Sequence, residues 1–295
     1  MSKKKILVVG SVAIDNTIFT KQLPQAGATI MADSYMVNVG GKGANQACAS
    51  TFLGSEVSFI GAVGKDQHGA MVKQFLNEVG LKAYLKDSNK PTGVAFIILD
   101  ELSGENRILI VQGANTDISV EDIEKHDNLF KEGDILLTQF ENSVETVEYM
   151  LKKAFDRHML VVLNPAPYKK INEDCYKYID YIVPNETELE MLTGTKDIEL
   201  GAKMLLEKGV KNVIVTLGSK GSLLMNHEAT TYVEPYKVNA VDTTAAGDSY
   251  LGALVTKLAE GKDIISAMKF ASLASSVTVT RKGAIISLPH LKDLI

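Results

Sequence analysis

The sequence predicts an α/β protein with a central, mostly parallel β-sheet flanked by helices and a small β flap beside it. Three observations carry this. From residue 135 onward, short apolar runs alternate with helical patterns, the arrangement that parallel sheets produce. The first strand, residues 5–9, ends at Gly10-Ser11, the usual opening of an α/β unit, yet no helix follows. Two extended stretches, 15–20 and 29–39, come instead, separated by the turn signal Leu23-Pro24-Gln25-Ala26-Gly27. Strands placed before the first helix suggest the flap.

The chain of 295 residues is long enough for one large α/β domain or two smaller ones, with a sizeable core. Its 45% hydrophobic and 23% charged residues are the balance of a soluble globular protein. A net charge of −5 offers nothing to nucleic acid or anionic membranes, so local geometry must hold any anionic ligand. Lys3-Lys4-Lys5 is followed only by Ile6-Leu7-Val8-Val9 before Gly10, too short for a signal-peptide core. No apolar run approaches the ~18 residues of a membrane span. A cytoplasmic location is expected. Cys48 and Cys175 stand apart and fit reduced thiols, with a single disulfide as the open alternative. The histidines fall in no metal-ligand spacing, and no Ser-His-Asp or Cys-His constellation can be argued.

Gly40-Gly41-Lys42-Gly43 opens a helix whose apolar positions Ala44, Ala47, Cys48, Thr51 and Phe52 recur at helical spacing. Its glycines permit close backbone approach to a ligand, while Lys42 and Asn45 can donate hydrogen bonds from the first turn. The Gly-x-x-x-x-Gly-Lys-Ser/Thr pattern of a Walker A loop is absent. Residues 57–60 return to a strand, and Met71, Val72, Phe75, Leu76 and Val79 mark the next helix. Residues 93–99 and 107–111 are β-rich and joined by turn-forming residues 100–106, a hairpin that completes the flap.

Strands then follow at 135–138, 159–163, 181–183 and 213–217, with helices at 144–155 and 186–192. Such sheets place their sites at the carboxyl ends of strands. Glu141 there is either a solvated loop charge or a carboxylate for hydroxyls. Asn185 reads as an N-cap, with Glu186 and Glu188 favoured by the helix dipole. Gly218-Ser219-Lys220-Gly221, after Thr216, either lines a nucleotide or turns a hairpin. Asp15 is either a turn residue or a ligand at the base of the flap.

The stretch Asp242-Thr243-Thr244-Ala245-Ala246-Gly247-Asp248 runs into an apolar helix starting at about Gly247. Small side chains leave the first helical amides uncovered, and with the positive end of the dipole these make an anion site. Asp248 is either the helix cap or a carboxylate facing the acceptor of a phosphoryl group.

Residues 40–47 and 242–254 together resemble the two signature motifs of the ribokinase-like (phosphofructokinase-B type) carbohydrate kinases. The resemblance continues through Gly10-Ser11, Asn164-Pro165-Ala166-Pro167, Pro184-Asn185-Glu186-Thr187-Glu188, Thr216-Leu217-Gly218-Ser219-Lys220-Gly221 and Val279-Thr280-Arg281-Lys282-Gly283-Ala284, spanning essentially the whole chain in order. It implies one kinase domain over 1–295, with lid strands from about 12–39 and 91–113 that cover the sugar and form a homodimer interface. It also implies transfer of the ATP γ-phosphoryl group to a sugar hydroxyl, O5 of D-ribose first. 2-Deoxyribose, another small sugar or a nucleoside is the alternative, and a non-catalytic sugar-binding protein comes after that. A dinucleotide-binding oxidoreductase is disfavoured, because no Gly-x-Gly-x-x-Gly follows the first strand.

Carried over by motif, Asp15, Gly41, Lys42, Asn45, Glu141 and Asp248 hold the sugar. Asn185, Thr216, Gly218, Ser219, Lys220, Gly221, Gly247 and Ser272 line ATP, and Mg²⁺ travels with the nucleotide. Asp242 and Thr244, with Thr278, Arg281, Gly283 and Ser287, surround a monovalent cation, usually K⁺. Asp248 is the expected base, and the amides of Ala245, Ala246 and Gly247 hold the transferring group. There are departures from the pattern. Ala13 stands where the ribose-phosphorylating members carry Asn, and Leu251 and Ser272 stand where they often carry Asn and His.

Overall fold

The computed structural model describes residues 4–100 and 106–294. The first half runs β1 (Ile6–Val9), β2 (Ala13–Thr20), β3 (Ser34–Gly40), α1 (Lys42–Phe52), β4 (Val57–Gly64), α2 (Gln67–Glu78), β5 (Lys82–Ser88), β6 (Gly93–Asp100) and β7 (Asn106–Val111). The second half begins with α3 (Val120–Glu124), β8 (Ile135–Gln139), α4 (Val144–Asp156), β9 (Leu160–Asn164), β10 (Tyr181–Ile182), α5 (Glu186–Thr193) and α6 (Ile198–Glu207). It closes with β11 (Asn212–Thr216), β12 (Ser222–Asn226), β13 (Thr230–Val233), α7 (Ala246–Ala259) and α8 (Ile264–Thr278). The turn expected over 100–106 lies largely outside the described residues.

Nine strands form the central sheet in the order β13-β12-β11-β10-β9-β8-β1-β4-β5, parallel from β11 to β5 with an antiparallel hairpin at the β13 edge. Alternate residues of each strand face opposite sides. Ile6, Val8, Ile135 and Leu137 join α1, α7 and α8 on one side. Leu7, Val9, Leu136 and Val161 join α4, α5 and α6 on the other. Burial on both faces is why these strands read as unbroken apolar runs. The flap is a separate sheet, β3-β2-β6-β7, in which β2 and β6 are parallel and the outer pairs antiparallel.

One helix crossing matters for the site. A Cβ on Gly252 of α7 would lie 3.0 Å from both the Gln46 carbonyl oxygen and the Ser50 amide of α1. The absence of that atom lets the two helices pack backbone to backbone, with their N-termini side by side.

The structure departs from the sequence reading in places. The extended stretch expected at 29–39 is a strand only from Ser34, since residues 21–33 form a largely exposed loop. Strand β5 escaped notice because it is a half-exposed edge strand interrupted by Lys82, Lys86 and Asp87. Helices α6 and α8 add to the elements expected from the sequence. Cys48 and Cys175 are free, buried thiols on opposite faces of the sheet, which excludes the disulfide. Among the described residues, no helix is long and apolar enough to cross a membrane.

Candidate active site

The site forms where α1 and α7 begin, above the carboxyl ends of β1, β8 and β9. Gly41 caps α1 at φ 91°, a conformation open to glycine. A Cβ on Gly43 would lie 2.6 Å from the Gly10 carbonyl carbon and 2.7 Å from the Ser11 amide. These glycines therefore first let the chain approach itself, seating α1 on the end of β1; Gly41 also borders a cavity.

Helix α7 starts without a side-chain cap, on Ala245 in the left-handed region at φ 59°. Asp248 is thus the third residue of the helix, and the reading of it as the cap is wrong. The Ala246 amide reaches the Thr243 carbonyl at 3.2 Å and the Ser249 amide that of Ala245 at 2.8 Å, leaving the Gly247 and Asp248 amides without a carbonyl partner. Nothing lies within 4 Å of where a Gly247 Cβ would sit. Orphan donors facing open space at a helix N-terminus are what an anion needs. The Asp248 carboxylate is 7% exposed. Asn45 Nδ2 donates to its Oδ2 at 2.8 Å and Gln46 Nε2 to its Oδ1 at 2.9 Å.

Two cavities meet at this carboxylate. The larger, about 270 Å³, is bordered by Asp15, Gly41, Lys42, Asn45, Glu141 and Asp248, with the lid's Ala13, Ile97 and Ile110 opposite. The structure thus gathers all six residues assigned to the sugar. The other, about 200 Å³, is bordered by Asn164, Asn185, Glu188, Thr216 and Gly247. Lys42, Thr243, Ala245 and Asp248 belong to both walls.

Other nucleotide candidates fall outside those walls. Gly218, Ser219, Lys220 and Gly221 turn the β11–β12 hairpin, with the Leu217 amide on the Gly221 carbonyl at 2.8 Å and Lys220 against Glu186 at 3.4 Å. Ser272 is buried within α8 and borders neither cavity.

Sequence reasoning missed three residues here. Asn185 and Glu188 form a reciprocal capping box, so a structural role already explained Glu188. Asn115, in a short 3-10 helix (Gly113–Asp117) after the lid, accepts the Val12 amide and donates to the Val12 carbonyl, each at 2.9 Å. Gln46 is the third.

Three buried carboxylates and one ammonium share this space. Burial, then Glu141 and Asp248, pushes the Asp15 carboxyl up to about 7. Burial also pushes Glu141 up, against the opposing pull of Lys42 and of the Ser11 hydroxyl that donates to it. For Lys42, burial favours the neutral amine, but Asp248, Glu141 and Glu188 outweigh it and hold the ammonium above its ordinary value. Such a set can accept hydrogen bonds from several hydroxyls while one cation balances the charge.

Asp242 ties two loops together. Its Oδ1 accepts the Thr244 amide at 2.9 Å and its Oδ2 the Gly283 amide at 2.8 Å. A pocket of about 10 Å³, room for one water-sized sphere, lies between Asp242, Thr244 and Gly283 and the lid's Asp15, Thr17 and Asn38. The other side chains assigned to the cation are engaged elsewhere. Thr278 donates to Ser249 Oγ at 2.7 Å, Arg281 pairs with Asp293 at 3.2 Å, and Ser287 donates to the Ala284 carbonyl at 2.7 Å. Among the described residues, no group of three or more His, Cys, Asp or Glu could hold a metal ion.

A helix-start anion site, flanked by a hydroxyl-binding cavity under a β lid, defines a phosphoryl-transferring enzyme of the α/β class. The chain belongs to the pfkB family of carbohydrate kinases, whose pattern matches residues 3–291. It is 35% identical over 300 residues to a ribokinase of Haemophilus influenzae, covering 99% of this chain and 98% of that protein. It is 37% identical over 296 residues to a deoxyribokinase of Salmonella typhimurium, covering 98% and 96%. The structure is similar to that of an Arabidopsis thaliana ribokinase complexed with ribose and ATP, at TM-score 0.87 and 33% identity over 99% of this chain and 97% of that one.

Proposed function

We propose that this protein is an ATP-dependent sugar kinase that phosphorylates the O5 hydroxyl of D-ribose. One observation carries the reading: Asp248, beside the open amides of α7, lies on the shared wall of two cavities. The lid-covered cavity takes the sugar, and the one bordered by Asn185 and Thr216 takes the phosphates of ATP. Asp15, Asn45 and Glu141 accept or donate to the sugar hydroxyls. Asp248 takes the proton of the attacking hydroxyl as its oxygen bonds to the γ-phosphorus, and the bond to the β-phosphate oxygen breaks to release ADP. A carboxylate suffices as base because proton removal comes late in a loose phosphoryl-transfer transition state. The α7 amides and Lys42 stabilise the charge on the transferring oxygens.

When bound with the nucleotide, Mg²⁺ would supply neutralisation of phosphate charge, and Glu188, on the wall of that cavity, would be the carboxylate to hold it. A monovalent cation of the K⁺ class fits the small pocket at Asp242, whose oxygens keep lone pairs beyond the two amides they accept. Bound there, it would stiffen the loop that leads into α7. The lid carries an exposed apolar edge, with Leu109 70% and Ile110 57% exposed, which supports a homodimer through this sheet.

A second reading, 2-deoxyribose as substrate, rests on Ala13, which borders the sugar cavity with a methyl group instead of a hydrogen-bonding side chain. ATP turnover against a panel of pentoses, hexoses and nucleosides tests both. The expected result is highest kcat/KM on ribose or 2-deoxyribose. A hexose or nucleoside preferred by tenfold refutes the pentose assignment, and no turnover on any acceptor refutes the kinase.

A further inference from the structure

We infer that Gln46 is a positioning residue for phosphoryl transfer, holding the Asp248 carboxylate toward its substrate, and that the strand-end amides of Gln139 and Asn164 orient it. The inference rests on the proposed role of Asp248 as base.

The argument follows the direction of each amide. Asn164, at the end of β9, donates its Nδ2 to the Val183 carbonyl at 3.2 Å. Since a carbonyl only accepts, that bond makes the other atom, facing Gln46, the Asn164 oxygen. Gln46 must then present its nitrogen, which meets Asn164 Oδ1 at 3.2 Å and Asp248 Oδ1 at 2.9 Å. Both are acceptors, so a flipped Gln46 would place oxygen against oxygen twice. Its remaining atom, Oε1, accepts from Gln139 Nε2 at 2.5 Å, at the end of the neighbouring strand β8. Gln139 and Asn164 are register partners, so the two strand ends hold Gln46 from either side.

This chain is sealed from solvent. Gln46 and Gln139 are fully buried, and Asn164 is 7% exposed. Gln139 keeps Oε1 buried without a hydrogen-bond partner. A chain that leaves a buried oxygen unsatisfied costs stability, and the structure keeps it where it aims a donor at the proposed base. Asn45 grips the other carboxylate oxygen from the same helix turn, so Asp248 is held at both oxygens by successive residues. The two bonds prevent the side chain from rotating.

Gln46→Met keeps the length and removes both polar atoms. The expected result is a kcat lower by roughly tenfold or more, with KM for sugar and for ATP changed by less than about threefold, since Gln46 borders neither cavity. Gln139→Met, which leaves Gln46 in place, should give a smaller loss of the same kind and serves as the second variant if Gln46→Met does not fold. The deciding measurement repeats each substitution in an Asp248→Asn background. A residue acting through the Asp248 carboxylate loses its effect once that carboxylate is gone, so each cost should fall to less than about twofold. If either substitution lowers kcat by the same factor in both backgrounds, or raises KM instead of lowering kcat, the inference is overturned while the kinase assignment stands. Wild-type protein that phosphorylates no sugar defeats both.

Discussion

The corner of the molecule around Asp248 and the four-stranded lid are built by opposite rules. In the corner, polar side chains from α1, β8, β9 and α7 are tied to one another and sealed from water. The lid instead presents an edge strand, β7, with large apolar residues half or more exposed, and closes over its cavity with isoleucines. Its roots are tied by Asn115, which bonds both backbone groups of Val12, and by Asp66, which accepts the Thr92 amide and hydroxyl. The difference teaches where each task resides. The proposed base and anion cradle must be held to a fraction of an ångström, which the packed ends of helices and strands provide. The proposed sugar contacts are divided, with Lys42, Asn45, Glu141 and Asp248 in the corner and Asp15 on the lid. A lid residue such as Ala13 can therefore change the choice of sugar without touching the proposed base.

The largest expected effect comes from the corner. Asp248→Asn should leave both substrates bound but lower kcat by ~10²-fold or more, the usual scale for a lost general base. Near wild-type turnover would put the base elsewhere. Next is Gly247→Ala, which pushes a methyl group into the open space before the α7 amides. A decrease of roughly 10- to 100-fold in kcat/KM for ATP is expected; an unchanged value would mean that the phosphates rest somewhere else.

The lid side of the comparison is sharpened through Ala13. A polar group that reads a hydroxyl penalises the deoxy analogue, and alanine removes that penalty. Ala13→Asn should shift the ratio of kcat/KM for ribose over 2-deoxyribose toward ribose by ~1–3 kcal/mol. A wild-type enzyme that already rejects 2-deoxyribose by ~10⁴ would show that other residues read this hydroxyl. The small pocket proposed for the cation lies between the two regions. Replacing Na⁺ by K⁺ at constant ionic strength should raise turnover several-fold, and equal rates in K⁺-free enzyme would leave the Asp242 loop a purely structural tie.

The smallest effect concerns stability. With its carboxyl pushed up to about 7, Asp15 is protonated in the folded protein where the unfolded chain has already lost the proton. Its contribution is therefore full below the unfolded value near 4 and is lost as pH rises through about 7. Relative to wild type, Asp15→Asn should gain in Tm between pH 5 and pH 8, by roughly 2 °C or more. A difference independent of pH would show that Asp15 is ionised throughout.

Much of this was legible in the chain. The apolar runs of β1, β8, β9 and β11 are short but nearly unbroken and flanked by glycine, proline or asparagine, so strand and site end could be read together. The glycine-rich stretch at 40–43 and the small-residue stretch at 242–248 announced helix starts because only small residues leave amides uncovered. Edge elements were not legible. Strand β5 carries lysines and an aspartate on a half-exposed path, and the pairing that makes it a strand comes from β4, a partner distant in sequence. Asp248 shows the same limit at one residue. Sequence placed it at a helix start but left cap or base open, because local chemistry favours both. Only the tertiary structure removed the cap reading, by starting α7 at Ala246 and bringing Asn45 and Gln46 onto the two oxygens of Asp248. The join of the two cavities, the orientation of Gln46 and the mutual repulsion of Asp15, Glu141 and Asp248 likewise depend on side chains far apart in sequence. Local pattern determines which elements form; distances between their ends, which set charge and hydrogen bonding, exist only once the sheet has ordered its strands.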